Sequence, residues 1–225
     1  MRRAMSLYRT TVGQKAVMAI TGVVLLLFLI GHMLGNLKVY LGPQAYNHYA
    51  EWLREAGTPL LPHGGLLWIA RVVLLVSVGA HIFAALQLTR RSRAARDERY
   101  HTTPHEELSY ASRTMRWGGV IIFLFVIFHL MNFTWGNAHP DFVPGDVYHN
   151  FIAGFEVWQI SAIYILFMVV LGFHIYHGVW SGMQTLGLNQ PRYNRYRRPL
   201  AAVLALTIAV GNISFPTAVL AGWLR

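Results

Sequence analysis

The sequence predicts an all-α integral membrane protein, a bundle of five transmembrane helices, on three observations. Hydrophobic residues make up 55% of the 225-residue chain and charged residues only 12%, with a mean hydropathy of +0.39. That is too little charge to cover a soluble globule of this size. A bilayer core about 30 Å thick takes roughly 20 apolar residues in a helix, and five uncharged or nearly uncharged stretches have that length. Finally, the basic residues that produce the net charge of +10 are confined to short segments between those stretches. Such confinement is the mark of membrane topology and argues against nucleic-acid binding.

The predicted helices cover about residues 16–37, 66–89, 117–135, 157–183 and 199–224 of a single transmembrane domain spanning 1–225. The first follows basic residues as a signal peptide would, but its apolar run is too long and no small-residue cleavage site follows, so it reads as a retained helix. The second carries one charge, Arg71, near its start. Arg2, Arg3, Arg9 and Lys15 precede the first helix. Arg90, Arg91, Arg93, Arg96, Arg99, Arg113 and Arg116 separate the second from the third, and Arg192, Arg195, Arg197 and Arg198 the fourth from the fifth. The opposite connections hold Lys38 and Arg54 against Glu51, Glu55, Asp141, Asp146 and Glu156. Cytoplasmic loops carry the excess of Lys and Arg, so the N-terminus is expected in the cytoplasm and the C-terminus outside. In the first outer connection, residues 43–54 have the helical propensity and aromatic content of a helix lying along the interface.

Four of the five helices contain a histidine far from either end: His32, His81, His129 and His174. An ionisable side chain in hydrocarbon is costly and marks a functional site. Depth follows from a rise of about 1.5 Å per residue: His32 is 6 residues from Lys38 and His129 is 8 from Asn137, both shallow from the outer side. His81 lies 15 residues from Leu66 and His174 18 from Glu156, both deeper. The implied levels are about 10–15 Å apart. Neutral imidazole ligates iron well, and helical bundles build cofactor sites from facing helices. Four inward histidines at two levels therefore predict two stacked bis-histidine haems b enclosed by four helices, filled at both axial positions and suited to electron transfer. Small residues at these levels, Gly22, Gly31, Gly35, Gly79, Gly172 and Gly178, suit a close-packed macrocycle but equally suit ordinary helix packing.

Other chemistries fare less well. The predicted helices contain no Asp or Glu, which argues against an ion or proton relay and against a di-iron carboxylate site. Cysteine is absent, which removes thiolate-ligated haem and clusters from this chain. On the fourth helix His177 lies three residues after His174 on nearly the same face, so either can ligate; His174 is better centred, and His177 suits a haem propionate or a quinone. Candidate quinone contacts are Thr10, Thr11, Gln14, Lys15 and His177 at the inner interface, and His48, Glu51, Glu55 and Arg71 at the outer one. Arg71 is also placed to meet a haem propionate.

The chain resembles the five-helix dihaem cytochrome b membrane-anchor subunit, b558 branch, of succinate dehydrogenases and fumarate reductases. The resemblance rests on Val12-Gly13-Gln14-Lys15 entering the first helix, Gly31-His32-Met33-Leu34-Gly35-Asn36-Leu37 leaving it, and Tyr46-Asn47-His48-Tyr49-Ala50 in the outer connection. Phe128-His129-Leu130 follows, then Gly172-Phe173-His174-Ile175-Tyr176-His177-Gly178 and Gln190-Pro191-Arg192-Tyr193-Asn194. It implies that His32 and His129 ligate an outer haem and His81 and His174 an inner one, with His177, Lys15 and Arg71 as further cofactor contacts. It implies a flavoprotein subunit and an iron–sulfur subunit on the cytoplasmic side of a prokaryotic membrane. The chain itself would hold neither FAD nor the dicarboxylate site, and would pass electrons to quinone, with menaquinone expected. Where some dihaem fumarate reductases carry a proton-conducting glutamate two residues before the fourth-helix ligand, this chain has Gly172. The alternatives are the same scaffold working as a quinol:fumarate reductase anchor, the haem b subunit of another respiratory dehydrogenase, and a haem-free anchor.

Overall fold

A computed structural model describes residues 10–95, 110–188 and 190–225, with only the helical backbone for 110–114. Arg2, Arg3, Arg9, Arg96, Arg99, His101 and His105 lie outside the described residues, as does the side chain of Arg113. Among the described residues seven α-helices follow in order: α1 Thr11–Asn36, α2 Pro43–Glu55, α3 Gly65–Ala94, α4 Tyr110–Phe133, α5 Val147–Glu156, α6 Trp158–Thr185 and α7 Pro191–Leu220. There is no strand among the described residues. Five of the helices, α1, α3, α4, α6 and α7, are long and apolar enough to cross a membrane.

Capping and charge explain where the helices end. The Thr10 hydroxyl accepts from the Gly13 N–H at 3.0 Å, so α1 starts at Thr11, ahead of the apolar run. It tightens into a 3-10 turn at Leu37–Leu41 that Gly42 ends with φ +93°, leaving Pro43 to open α2. Helix α3 runs through Arg90, Arg91 and Arg93 to Ala94. Helix α7 likewise begins at Pro191 and takes in the basic segment before Pro199, which lies inside the helix. In both cases the apolar run is the part that fits hydrocarbon, while the helix continues past it. Helix α5, unforeseen from the sequence, is capped by Asp146, whose carboxylate accepts from the His149 N–H at 3.0 Å.

The charges leave the bundle with two unlike ends. Lys15, Arg90, Arg91, Arg93 and the arginines of 192–198 mark a basic end, and Glu51, Glu55, Asp141, Asp146 and Glu156 an acidic end. Helices α6 and α7 pack most extensively, and α1 packs on α3 and α6 while α4 packs on α6. Small residues set the closest approaches: a Cβ added to Gly172 on α6 would lie 3.4 Å from the Ala209 Cβ on α7. An aromatic core of Phe125, Phe151, Phe155, Tyr164 and Phe215 fills the acidic half. The outward faces are apolar, with Leu75, Val76, Leu124, Leu166, Leu206 and Val210 all exposed, as hydrocarbon as solvent demands.

Candidate functional site

The four histidines of the spans meet in two pairs. His32 from α1 faces His129 from α4, with ring centres 5.8 Å apart and planes at 88°. His81 from α3 faces His174 from α6 at 6.3 Å and 58°. The helices that share a pair, α1 with α4 and α3 with α6, are not among the closely packed ones, so each pair reaches across a gap between helices.

Neighbouring side chains orient the rings. His32 stacks on Phe28 one turn earlier, with centres 5.3 Å apart. The His129 Nδ1 lies 3.2 Å from the Tyr164 hydroxyl, and that hydroxyl accepts from the Asn132 amide at 3.3 Å. The His81 Nδ1 lies 3.2 Å from the Thr21 hydroxyl. Thr21 directs its single proton at the Val17 carbonyl, 2.7 Å away. Its oxygen is therefore left to accept from His81 Nδ1–H, and that tautomer frees the Nε2 lone pair for ligation.

The levels of the two pairs can be measured on two separate helices. A Cβ added to Gly22 on α1 would lie 3.5 Å from His81 Cε1, and one added to Gly119 on α4 would lie 4.0 Å from His174 Cε1. Gly22 precedes His32, and Gly119 precedes His129, by 10 residues, about 15 Å of helix in each case. The His81–His174 pair is thus nearer the basic end, and the His32–His129 pair nearer the acidic end.

On α6 the ring that faces His81 is that of His174. His177 instead sets its ring edge-on to Trp180 at 5.7 Å. The Nδ1 atoms of His174 and His177 are both buried without a hydrogen-bond partner. Gln14 is buried on α1 and donates its amide to the Gln87 side chain on α3, while its own Oε1 has no partner. Lys15 is exposed. Arg71 is exposed too, its guanidinium 4.9 Å above the Trp68 ring. His48, Glu51 and Glu55 are exposed on α2.

A cavity of about 140 Å³ does open beside His32, lined by Gly35, Asn36, Tyr46, Tyr49, Ala50, Leu53 and Val147. Gly35 admits the Tyr49 ring against α1: a Cβ there would lie 2.7 Å from the Tyr49 hydroxyl. The Tyr46 hydroxyl donates to the Asn36 side chain at 2.8 Å, and burial, aided by Tyr49, holds its pKa above the ordinary phenol value. Above this cavity Asn47 donates to Asp146 and accepts from the Tyr148 N–H, each at 3.0 Å, tying α2 to α5.

Sequence reasoning did not single out Thr21, Gly119, Asn132, Tyr164 or Arg197. Their partners lie on other helices, so no local spacing marks them. Among the described residues no three His, Asp or Glu side chains gather as a metal cage. Two imidazoles alone are a donor set for opposite positions of a metal whose remaining ligands come from elsewhere.

Fold and site together define a membrane-spanning helical bundle with two levels of facing histidines inside it. A family profile described as the succinate dehydrogenase/fumarate reductase transmembrane subunit matches residues 89–213, more than half of the chain. The chain belongs to that family, whose members are membrane subunits working beside the other subunits of a succinate dehydrogenase or fumarate reductase. The matched segment holds His129 and His174, one member of each pair, while His32 and His81 precede it. No curated protein and no solved structure matches the chain.

Proposed function

We propose that the chain is the dihaem cytochrome b anchor of a succinate:quinone oxidoreductase in a prokaryotic cytoplasmic membrane. It would carry electrons from an iron–sulfur subunit at the basic end, itself served by a flavoprotein subunit, toward membrane quinone. The observation that carries this reading is the convergence of four intramembrane histidines into two facing pairs.

The residues fit haem on three counts. Metal–imidazole bonds of about 2 Å on both sides of one metal put the ring centres about 6 Å apart, and the pairs stand at 5.8 and 6.3 Å. Each pair bridges helices that leave a gap between them. Thr21, and Tyr164 in the corresponding tautomer, hold the Nδ1 side of one ring in each pair and leave Nε2 to ligate. His32 with His129, and His81 with His174, would hold the haems, which would supply one-electron carriers. The apolar helices and the Phe125, Phe155 and Tyr164 cluster keep water from the histidines near the acidic end.

For quinone, the basic end offers the better chemistry. His177 Nδ1 can donate to a quinone carbonyl and Gln14 Oε1 can accept from a quinol hydroxyl, and both are buried and unpartnered. Glu51 and Glu55, by contrast, are solvated groups on the exposed side of α2. The test is a reduced-minus-oxidised spectrum of the purified complex with the haem content per chain, repeated for four single His→Ala variants. Two haems per chain are expected, with His32→Ala and His129→Ala losing one and His81→Ala and His174→Ala the other. A wild-type complex without a b-type α-band overturns the proposal, and loss of the inner haem in His177→Ala but not His174→Ala overturns the ligand assignment. Succinate oxidation and fumarate reduction rates with the native quinone, menaquinone in our reading, assign the direction.

A further inference from the structure

The two hydrogen-bonded rings of the histidine pairs are supported in different ways. Behind His81, the Thr21 hydroxyl sends its own proton to the Val17 carbonyl on the same helix, at 2.7 Å, which leaves its oxygen to the ring as an acceptor. Behind His129, the Tyr164 hydroxyl has no backbone outlet of this kind. Its hydrogen-bond partners among the described residues are His129 Nδ1 at 3.2 Å and the Asn132 amide at 3.3 Å. Tyr164 is buried, with the rings of Phe125 and Phe155 each centred 5.0 Å from its own, and Asn132 is 0% exposed, which closes the group off from solvent.

A phenol has one proton to give. With the Asn132 amide donating to the hydroxyl, that proton goes to His129 Nδ1, and the neutral ring then carries its hydrogen on Nε2, the nitrogen that ligation requires. Asn132 Oδ1 is meanwhile buried without a partner. In the opposite polarity His129 donates from Nδ1, the hydroxyl accepts, and the phenolic proton needs an acceptor of its own. A half-turn of the Asn132 carboxamide exchanges Oδ1 for Nδ2 in nearly the same volume and sets that acceptor where the donor stood. Each arrangement contains two hydrogen bonds, but Nε2 is free to ligate in the second. A hydroxyl accepting from both neighbours would leave its proton buried and unpaired.

Asn132 follows His129 by three residues on α4, and Tyr164 comes from α6. The carboxamide therefore sets which way the hydroxyl's proton points, and through it which nitrogen of His129 carries hydrogen.

We propose that Asn132 is a positioning residue for the ligand His129: its carboxamide oxygen accepts the Tyr164 proton, so that the chain runs from His129 Nδ1–H through the Tyr164 hydroxyl to Asn132. The assignment rests on the dihaem reading above. No proton is gained or lost, since the ring hydrogen moves from Nε2 to Nδ1 and the phenolic hydrogen turns from His129 to Asn132. A bond donated from Nδ1 makes the imidazole a stronger ligand, and an amide acceptor at the far end strengthens that bond in turn. Both effects favour the oxidised metal and lower the outer midpoint potential.

The test is a redox titration of both haems in the purified complex for wild type, Asn132→Leu, Asn132→Asp, Tyr164→Phe and the double variant Asn132→Leu with Tyr164→Phe, the outer haem being the one that His129→Ala removes. Leucine fills a similar volume without a polar atom, whereas aspartate keeps an acceptor oxygen and loses the amide donor. Expected is an outer midpoint that rises in Asn132→Leu, stays at or below the wild-type value in Asn132→Asp, and in the double variant equals that of Tyr164→Phe alone, with the inner midpoint unchanged throughout. An outer midpoint unchanged in Asn132→Leu overturns the proposal, and so does any rise in Asn132→Asp, which makes the amide donor the part that matters. The same shift from Asn132→Leu with and without the Tyr164 hydroxyl also overturns it, because Asn132 then acts by packing and not through the chain. If Asn132→Leu loses the outer haem, Asn132→Asp decides: retention with a midpoint at or below wild type supports the proposal, and loss there overturns it. A wild-type complex without a b-type α-band, or one whose haems both survive His129→Ala, fails the reading beneath the proposal and is told apart by its spectrum.

Discussion

Thr21→Val keeps the shape of the side chain and removes only the oxygen that meets His81 Nδ1 at 3.2 Å. On the dihaem reading, its expected consequence is confined to the haem of the inner pair. A neutral hydrogen bond of this kind is worth about 0.5–1.5 kcal/mol net, and loss of a partner behind a metal-bound histidine costs about 10- to 100-fold in metal affinity. The bond from Nδ1–H makes the ring a stronger donor, which favours the oxidised metal, so its loss should raise the inner midpoint. At about 1 kcal/mol the largest one-electron shift is about 40 mV. Tyr164→Phe is the matching change at the other level. It removes the hydroxyl 3.2 Å from His129 Nδ1 and deprives Asn132, whose Oδ1 is already without a partner, of its acceptor. Potentiometric titration of each variant, with the two haems resolved by their α-bands, provides the assay. Thr21→Val should move one midpoint and Tyr164→Phe the other. Both variants moving the same haem, or neither moving any, would refute the assignment of the two pairs to separate metals.

The acidic end carries three further predictions. Gly35→Ala forces a Cβ to within 2.7 Å of the Tyr49 hydroxyl, and overpacking of this kind costs about 1–3 kcal/mol, which thermal unfolding should read as a lower Tm and, on the dihaem reading, as weaker retention of the haem proposed at His32. Asn47→Ala removes the side chain that both donates to Asp146 and accepts from the Tyr148 N–H; losing it should destabilise the link between α2 and α5 by about 1–3 kcal/mol, detectable as faster amide exchange at Tyr148 and His149. The Asp146 carboxyl is held below its ordinary pKa, first by the His149 N–H and then by the Asn47 amide. Because its folded pKa is depressed, its contribution is fully present above the unfolded value of about 3.9 and is lost as pH falls through the folded one. An acid titration of Tm should therefore fall less steeply in Asp146→Asn than in the native chain, and an identical slope would remove Asp146 from the account.

The helices could be read from the sequence because hydrocarbon demands about 20 consecutive apolar residues, and the histidine levels because helical rise is constant. What stayed hidden depends on rotation of one helix against another. The Thr21–His81 and His129–Tyr164 contacts join residues 60 and 35 positions apart, and no spacing within α1 or α6 announces them. Arg197 reads in the sequence as one more topology charge beside Arg195 and Arg198; only the packing of α7 on its neighbours buries it. Helix α5 was hidden for another reason. Its 10 residues lack the length of a span and follow a loop rich in Pro and Gly, so that the Asp146 cap was its one local signal. For quinone, side-chain type alone cannot tell a gathered site from solvated groups, and the exposed Glu51, Glu55 and Arg71 carry no local signal that separates the two.

On the dihaem reading, the path of electrons is separate from that of protons. The five spanning helices contain no Asp or Glu, and intramembrane carboxylates are the usual stations of a proton relay. Gly172, two residues before His174, is the position at which the resemblance places a glutamate in some dihaem fumarate reductases, and here it faces α7. A Cβ added at Gly172 would lie 3.4 Å from Ala209 Cβ and 3.9 Å from the Ala205 carbonyl, against the helix that packs most closely on α6. Both are ordinary van der Waals contacts on the α6–α7 interface, where Ile175 packs against Ala205 and Ile208. On the dihaem reading, electrons move between two metals about 15 Å apart through a bundle with no acidic relay. On the same reading the protons of quinone chemistry would enter and leave at the end that holds the quinone, the basic end where His177 and Gln14 lie.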